Sequence, residues 1–242
     1  MKRGLSRNFV LQKACIVLGR RLRYSLRMTA SKKQTAERVV AVLKVLSNHQ
    51  GKTMLARLGS GQPYRTLVAT VLSARVRDEM TERVLPQFFE KWPDPHSLAR
   101  AKPAQVEKVI KTIGLYRSKS RRLVELAGIL VDRYGGRVPD TMEQLVELPG
   151  VGRKTAGCVL VYAFGKRALP VDTHVHRISN RLGWVDTKTP GQTERELLKI
   201  VPTRWQAAVN DLLVHHGKTI CRPIGPLCGE CPVAGLCPSA RS

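Results

Sequence analysis

Apolar residues recur along most of the chain at intervals of three and four positions, which places them on one face of a helix. The clearest runs are Val39, Val40, Leu43 and Leu46; Leu67, Val68, Val71 and Leu72; Val106, Val109, Ile110 and Ile113; and Leu197, Leu198 and Val201. No alternation of apolar and polar residues predicts a strand. The pattern therefore predicts an all-α protein of about ten short helices.

The predicted helices are separated by residues that begin or end a helix. The predicted bounds are 37–48, 64–77, 79–90, 103–113, 119–134 and 141–148, with a further helix that begins at Arg153. Most prolines lie near these bounds, where their missing amide group is tolerated. Gly135 and Gly136 should end the helix 119–134, and Asp140 is placed to cap the next one.

A tight link joins the last two of these helices. Residues 149–152 alone separate the helix 141–148 from the helix that begins at Arg153. Gly150 and Gly152 permit positive φ and carry no side chain, so amide groups at the start of the second helix can approach a phosphate oxygen. The alternative is an ordinary helical hairpin that binds no ligand.

Basic residues greatly outnumber acidic ones. Lys and Arg number 42 against 18 Asp and Glu in 242 residues, a formal net charge of +24. Such a charge is typical of a protein that lies on a phosphate backbone, so nucleic acid is the first candidate partner. No apolar run has the length of a membrane span, which argues against a membrane protein.

The first 36 residues contain ten basic and no acidic residues. This basic leader, 1–36, has the Arg-rich composition of an organellar transit peptide. The alternatives are a basic tail that follows DNA, or an upstream stretch if Met28 is the true start. Without those ten charges, residues 37–242 still carry +14, so the charge argument does not depend on the leader.

Lys154 and Asp172 lie at positions that suit catalysis as well as simpler roles. Lys154 is in the first turn of its predicted helix, where the helix dipole disfavours an ammonium group and favours a neutral, nucleophilic amine. The simpler interpretation is one more phosphate contact. Asp172 precedes a helical segment and suits an N-cap. A rigidly capped carboxylate is also pre-positioned for catalysis, so the two roles are compatible.

Four of the six cysteines lie within 17 residues near the C-terminus. Cys221, Cys228, Cys231 and Cys237 have the spacing C-x6-C-x2-C-x5-C, which favours a metal site over disulfide bonds. Four thiolates suit either a [4Fe–4S] cluster or a structural zinc ion. Cys15 and Cys158 stand alone, and Cys158 is expected to be an inert, buried thiol on a helix.

Residues 64–238 resemble the endonuclease III branch of the helix-hairpin-helix DNA glycosylase superfamily. The matching strings are Val71 to Ala74, Ile110 to Tyr116, Leu148 to Ala156, Val171 to Ile178 and the four-cysteine tail. The resemblance implies two helical lobes, a six-helix barrel at 60–166 and an iron–sulfur lobe formed by 37–59 and 167–242. Double-stranded DNA would bind in the cleft between them.

The resemblance also implies catalytic roles. Lys154 would be the nucleophile of a glycosylase that also cleaves the strand, since relatives without this activity carry another residue there. Asp172 would polarise the nucleophile and stabilise positive charge on the sugar. The cysteine spacing is similar to the family's iron–sulfur loop, so a [4Fe–4S] cluster is placed ahead of structural zinc.

Contacts with DNA follow from the same resemblance. Arg75 would fill the gap left by a flipped base, and Leu115 would wedge the opposite strand. The alternatives are that Arg75 is an ordinary surface residue and that Leu115 is an ordinary core leucine. Familiar bacterial sequences have Gln in place of Arg75, which leaves the base preference open. Further contacts are expected from Gly150, Val151, Gly152, Arg153 and Thr155 of the hairpin, and a weaker one from Arg222 in the cysteine loop.

The function expected is base excision repair by a monomer that removes oxidised pyrimidines from duplex DNA and cleaves abasic sites through a Schiff base. One alternative changes the substrate to uracil or thymine opposite guanine, or to an oxidised purine. Another is a non-catalytic DNA-binding iron–sulfur module. We expect a cytoplasmic, nucleoid-associated protein, or a nuclear or mitochondrial one if 1–36 is a targeting segment.

Overall fold

The computed structural model describes residues 34–49, 54–58 and 61–241; Cys15 and most of the leader lie outside them. The α-helices are α1 (34–47), α2 (Met54–Leu58), α3 (Pro63–Ser73), α4 (Asp78–Lys91), α5 (Pro95–Ala99), α6 (Pro103–Ile110), α7 (Tyr116–Tyr134), α8 (Met142–Val146), α9 (Arg153–Phe164), α10 (Thr173–Arg181), α11 (Pro190–Ile200) and α12 (Thr203–Thr219). Two short 3-10 helices, Cys228–Glu230 and Ala234–Leu236, follow. The described residues form no strand, and the predicted all-α class is confirmed.

Helix ends differ from prediction where a turn interrupts the apolar pattern. α3 ends at Ser73 and not at residue 77, because the Val76 amide donates to the Ser73 carbonyl at 3.0 Å and closes a turn. Val76 still packs against the core, so the apolar spacing continues past the helix. α7 ends as predicted at Gly135, whose φ of +59° is a left-handed conformation that glycine adopts without strain.

The prediction that Asp140 caps the following helix is wrong. Thr141 is the N-cap of α8, and its hydroxyl accepts a hydrogen bond from the Gln144 amide at 3.4 Å. Asp140 instead forms an ion pair with Lys166, with 2.7 Å between carboxylate oxygen and amine. Asp and Thr are both good capping residues, and Lys166 engages the Asp140 carboxylate.

The helices pack around two hydrophobic cores. The first contains buried residues between Met54 and Ala168, and the second contains buried residues of α1 together with residues between Leu169 and Val233. Met54 and Leu55 pack in the first core, although the sequence analysis grouped 37–59 with the second lobe. The lobe boundaries themselves stay a prediction.

Two ion pairs connect the helices of the two cores. Lys218 of α12 pairs with Asp78 of α4 at 2.8 Å, and Arg153 of α9 pairs with Glu194 of α11 at 2.9 Å. These links join helices of the first core to helices of the second. No helix in the described ranges is both long enough and apolar enough to cross a membrane.

Candidate active site

The hairpin between α8 and α9 leaves the N-terminus of α9 without a capping side chain. Val151 is buried, and its amide donates to the Leu148 carbonyl at 3.0 Å, which closes the turn against the first core. Gly150 has the expected positive φ, +79°. Gly152 is the N-cap with φ of −91°, and nothing lies within 4 Å of the place a Cβ would take. The first amides of α9 lack partners within the helix, so this open end suits an anion.

The neighbours of Lys154 occupy different environments. Arg153 is exposed, but its guanidinium bonds the Glu194 carboxylate, which raises the pKa of Arg153. Thr155 is buried and lines the cavity between the lobes. The side chain of Thr155 is therefore placed to shape that cavity, and the DNA contacts expected of Arg153 and Thr155 stay predictions.

Lys154 and Asp172 line the same cavity between the lobes. This cavity has a volume of about 450 Å³ and is lined by residues from both cores. Lys154 comes from the first turn of α9, whereas Asp172 is the N-cap of α10. The fold thus brings the two residues predicted to be catalytic to one cavity.

Asp172 is held in place by the start of its own helix. One carboxylate oxygen, Oδ1, accepts hydrogen bonds from the amides of His174 and Val175, both at 2.9 Å. The predicted N-cap is confirmed by these two bonds. Two backbone donors fix the orientation of the carboxylate at the cavity.

The ammonium form of Lys154 is stabilised, contrary to the prediction from its helical position. Burial by itself lowers the pKa of Lys154, but Cys158, Asp172 and Asp78 raise it, and the pKa lies above its ordinary value. Cys158 is fully buried as predicted, and burial raises the pKa of its thiol, which is therefore neutral near pH 7. The groups that stabilise the ammonium of Lys154 are therefore the Cys158 side chain and the carboxylates of Asp172 and Asp78.

Three polar residues that line this cavity were not predicted from the sequence. Asp78 and Lys218 form their ion pair across 140 positions of sequence, and Asn210 donates to the Pro170 carbonyl at 3.1 Å. In the sequence, Asp78 is an acidic residue near the start of a predicted helix, as is common at helix N-termini. Lys218 is one of 42 basic residues. No local pattern distinguished them from surface residues.

Arg75 and Leu115 are the two non-glycine residues with positive φ in the part of the chain that the structure describes, at +59° and +62°. Such backbone costs about 1–3 kcal/mol and persists where the surrounding structure imposes it. Leu115 is 63% exposed, so the alternative of a core leucine is wrong. Both residues line a second cavity, of about 340 Å³, together with Gly150 of the hairpin. Three separate turns therefore meet at one surface.

Lys119 connects two of these turns. Its amine donates to the carbonyls of Leu72 at 2.6 Å and Ala74 at 2.8 Å, directly before Arg75. Its backbone amide donates to the Leu115 carbonyl at 3.0 Å. Burial lowers the pKa of Lys119 to about 8. This lysine therefore holds the turn of Arg75 against the turn of Leu115.

The four C-terminal cysteines line one cavity of about 230 Å³ in the second lobe. Arg181 donates to Cys221 Sγ at 3.3 Å, and His216 Nε2 lies 3.6 Å from Cys231 Sγ. Within the described ranges, no three His, Cys, Asp or Glu side chains form a group that could hold a single metal ion. Four thiols around one cavity are a donor set that either a [4Fe–4S] cluster or a structural zinc ion would accept.

Arg222 lies at the start of the loop that joins Cys221 to Cys228. It is exposed, and its Nε donates to the Thr219 carbonyl at 3.1 Å. Arg222 lines a groove that also contains Arg75. The structure therefore places Arg222 on the same groove as Arg75, and its predicted DNA contact stays a prediction.

Known proteins are similar to this chain in sequence and in fold. The sequence pattern of the HhH-GPD superfamily of base excision DNA repair proteins matches residues 68–203. Endonuclease III of Thermotoga maritima is 53% identical over 175 residues, covering 72% of this chain and 82% of that protein. This chain belongs to the endonuclease III family.

Two further comparisons extend the match to most of the chain. Endonuclease III of Synechocystis is 40% identical over 218 residues, which cover 90% of this chain and 98% of that protein. The structure of a trapped endonuclease III–DNA covalent intermediate superimposes with a TM-score of 0.76 at 33% identity, covering 85% of this chain and 96% of that one. The resemblance to endonuclease III and the helix-hairpin-helix fold are thus confirmed.

Proposed function

We propose that this endonuclease III removes damaged bases from duplex DNA and then cleaves the strand at the abasic sugar. One observation carries the proposal: Lys154, at the uncapped start of α9, and Asp172, at the cap of α10, line a single cavity between the lobes. The structural relative was trapped as a covalent intermediate with DNA. Lys154 is the amine in this cavity that suits such a bond.

The first step breaks the N-glycosidic bond. The neutral amine of Lys154 attacks C1′ of the sugar, the bond from C1′ to the base breaks, and the base leaves with the bonding electrons and a proton. Positive charge develops on the sugar in the transition state. The fixed carboxylate of Asp172 stabilises that charge, and the product is a sugar–lysine adduct.

The second step cleaves the strand. The sugar ring opens to a Schiff base between Lys154 and C1′, which acidifies the proton on C2′. Loss of that proton expels the 3′ phosphate by elimination. Water then hydrolyses the Schiff base, releases the sugar aldehyde and restores the amine.

The resting ammonium of Lys154 must lose a proton before the first step. Asp172 and Asp78 raise the pKa of Lys154, so both carboxylates act on this ammonium. We assign the proton transfer to Asp172, because its backbone hydrogen bonds hold it in a fixed position at the cavity. Asp172 gives this proton to the base as the base begins to depart, so Asp172 is again a carboxylate when positive charge develops on the sugar.

A base must leave the helical stack before it can enter the cavity. In the proposed complex, exposed Leu115 enters the opposite strand and Arg75 fills the gap left by the flipped base. Lys119 keeps the two turns in register through its bonds to Leu72 and Ala74. The hairpin residues Gly150 to Arg153 bind phosphate through the open amides of α9.

The four cysteines are proposed to hold a [4Fe–4S] cluster, with structural zinc as the alternative. A bound cluster supplies iron–thiolate bonds that organise residues 221–237, and a centre able to exchange one electron. Arg181 bonds a cysteine ligand and fixes the adjoining loop. Iron, zinc and acid-labile sulfide analysis of the purified protein separates the two assignments.

Oxidised pyrimidines are the proposed substrate, with the nucleoid as the proposed location. Excision assays on duplexes that carry an oxidised pyrimidine, uracil or thymine opposite guanine, or an oxidised purine measure the preference directly. We expect the oxidised pyrimidine to be removed fastest. A faster reaction with either of the other lesions would redirect the assignment and would implicate Arg75, which replaces Gln.

Borohydride trapping on an abasic duplex tests the covalent step. We expect wild-type protein to form a stable adduct with DNA and Lys154→Gln to form none, because an amide is not nucleophilic. Lys166→Gln is the matched control, since Lys166 lies just beyond the opposite end of α9 and pairs with Asp140. The absence of an adduct with cluster-loaded wild type would refute the lyase assignment.

A further inference from the structure

One lysine lies buried between the two turns that carry Arg75 and Leu115. Lys119 is 5% exposed and is the one buried lysine or arginine among the residues that the structure describes. Its amine donates to two neutral acceptors, the backbone carbonyls of Leu72 and Ala74. Burial of a charge against neutral acceptors costs free energy, so the fold keeps this ammonium at some expense.

The charged groups around Lys119 do not offset this cost. Arg75, which follows α3, and Arg122, on α7, line the same cavity and are both basic. On α6, the carboxylate of Glu107 accepts a hydrogen bond from the Ser120 hydroxyl at 3.3 Å. Burial, and none of these charges, lowers the pKa of Lys119 to about 8. Lys119 is therefore an ammonium at neutral pH and a neutral amine well above pH 8.

The proton on Lys119 lowers the stability of the fold. An unfolded chain holds a lysine proton up to the ordinary pKa of 10.5, whereas the folded protein releases this proton near pH 8. The unfolded state thus binds more protons between these two values, so stability rises with pH across that window. A charge that is retained although it costs stability is typical of a functional site.

The ammonium stabilises the turn of Arg75 more strongly than a neutral amine would. The carbonyls of Leu72 and Ala74 lie at the C-terminal end of α3, where a positive charge is favoured. Their distances from the amine, 2.6 and 2.8 Å, are short enough for charge-assisted bonds, which are stronger than neutral ones. Arg75 follows directly, with a φ of +59° that a non-glycine residue keeps only under such constraint.

The same lysine also fixes the turn of Leu115. The backbone amide of Lys119 donates to the Leu115 carbonyl at 3.0 Å. Leu115 has φ of +62° and is 63% exposed, so the backbone holds its side chain out in water. Lys119 therefore ties two strained turns to each other, and its proton controls the tie to the turn of Arg75.

We propose that Lys119 is a positioning residue for base flipping: its ammonium fixes the turn of Arg75 against the turn of Leu115, and its neutral amine does not. This inference rests on the proposed function, in which Arg75 and Leu115 enter the duplex. Side chains that are held in place before binding lose less conformational freedom when they insert. Loss of the proton should therefore slow the flipping of a paired base, while Lys154 still acts on a base that is already unpaired.

Single-turnover excision of one oxidised pyrimidine from two duplexes tests this role. The lesion is paired with a base in the first duplex and lies opposite an abasic analogue in the second, where no pairing has to be broken. We expect Lys119→Met to excise the paired lesion about tenfold to a hundredfold more slowly than wild type, and the unpaired lesion within about threefold. Lys199→Met is the matched control and should resemble wild type, since Lys199 is exposed and pairs with Glu196 on α11.

The ratio of the two excision rates, paired to unpaired, reports on flipping, because the titration of Lys154 affects both rates and cancels. For wild type we expect this ratio to fall between about pH 8 and 9.5, since bound phosphates raise the pKa of Lys119 above its value in the free protein. Lys119→Arg keeps its positive charge throughout this range, so its ratio should stay constant. Lys119→Met, which mimics the neutral amine, should show a low ratio at every pH.

Several results would overturn the inference. A wild-type ratio that stays constant up to about pH 9.5 shows that no lysine proton influences flipping, and this measurement needs no variant. Equal slowing of both duplexes by Lys119→Met shows a general structural role. Failure of wild type to excise either lesion refutes the proposed function instead, whereas excision of both leaves that function intact. Urea unfolding verifies that each variant is folded.

Discussion

Two helices begin at the cavity between the lobes, and their N-termini are completed differently. α9 starts at Gly152 with no side-chain cap and carries Lys154 in its first turn. α10 starts at Asp172, whose carboxylate accepts hydrogen bonds from two backbone amides in the first turn of the helix. The first end is left for an anion from outside, whereas the second is closed by the protein's own anion. The start of a helix can thus present free amides or hold a fixed carboxylate, and the cap residue decides which.

Removal of the charge at the start of α10 should have the largest effect. We expect Asp172→Asn to slow base excision about a hundredfold to a thousandfold, because the positive sugar loses its fixed counter-charge. Single-turnover kinetics on a duplex with an oxidised pyrimidine measure the rate. Asn caps a helix as well as Asp does, so urea unfolding should show unchanged stability. Full activity of this variant would exclude a role for the charge.

The same substitution should alter the pH dependence of trapping. Asp172 is one of the groups that raise the pKa of Lys154, so its loss lowers that pKa. The neutral amine then forms at lower pH, and the rise of borohydride adduct with pH should move to lower pH in Asp172→Asn. An unshifted profile would show that Asp172 does not act on the amine. Asp172→Ala, which also loses the cap, should in addition cost roughly 1 kcal/mol of stability.

Alanine substitutions at two glycines, Gly150 and Gly128, test whether the positive φ of Gly150 is needed at the turn before α9. Gly150 has φ of +79°, so Gly150→Ala should destabilise the protein by roughly 1–2 kcal/mol and weaken DNA binding. Gly128 lies inside α7 with open space around a Cβ, and Gly128→Ala should stabilise the protein by roughly 0.5–1 kcal/mol. Urea unfolding measures both. Equal effects at the two sites would contradict a conformational role for Gly150.

The ion pair beside the open helix end should have the smallest effect. The carboxylate of Glu194 forms an ion pair with the guanidinium of Arg153, next to the amides proposed to bind phosphate. We expect Glu194→Gln to free Arg153, tighten binding to undamaged duplex about twofold to threefold, and raise the salt slope by up to about one. Fluorescence anisotropy across a salt series measures both quantities. The gain should vanish when Arg153→Gln is added, and a gain that survives would place its origin elsewhere.

Local patterns in the sequence were enough to predict most of the helices, the hairpin before Lys154 and the clustering of four cysteines. The turn at Gly150, the cap at Asp172 and the end of α7 at Gly135 each depend on residues a few positions apart. Neighbouring residues control the backbone there through sterics and short-range hydrogen bonds, so the amino-acid types alone predict them. The family resemblance, carried by ordered motifs, supplied the expected chemistry.

Local rules failed where a distant partner competed. Asp140 and Thr141 are both capable caps, and the ion pair with Lys166 directs Asp140 elsewhere. The helix-dipole argument predicted a lowered pKa for Lys154, but Cys158 on the same helix and the more distant carboxylates of Asp172 and Asp78 raise that pKa. Lys166 and the two carboxylates could not be recognised as partners without knowing which segments approach each other.

Residue types and their spacing predict a helical chain, a glycine hairpin before Lys154 and four neighbouring thiols near the C-terminus. These features arise from interactions within a turn or a short segment. Packing of the two lobes sets which charges meet, such as Asp78 with Lys218, and which apolar side chains stay in water, such as Leu115 and Ile224. Burial and electrostatic energy depend on distance in space, and only the packing of the two lobes sets that distance.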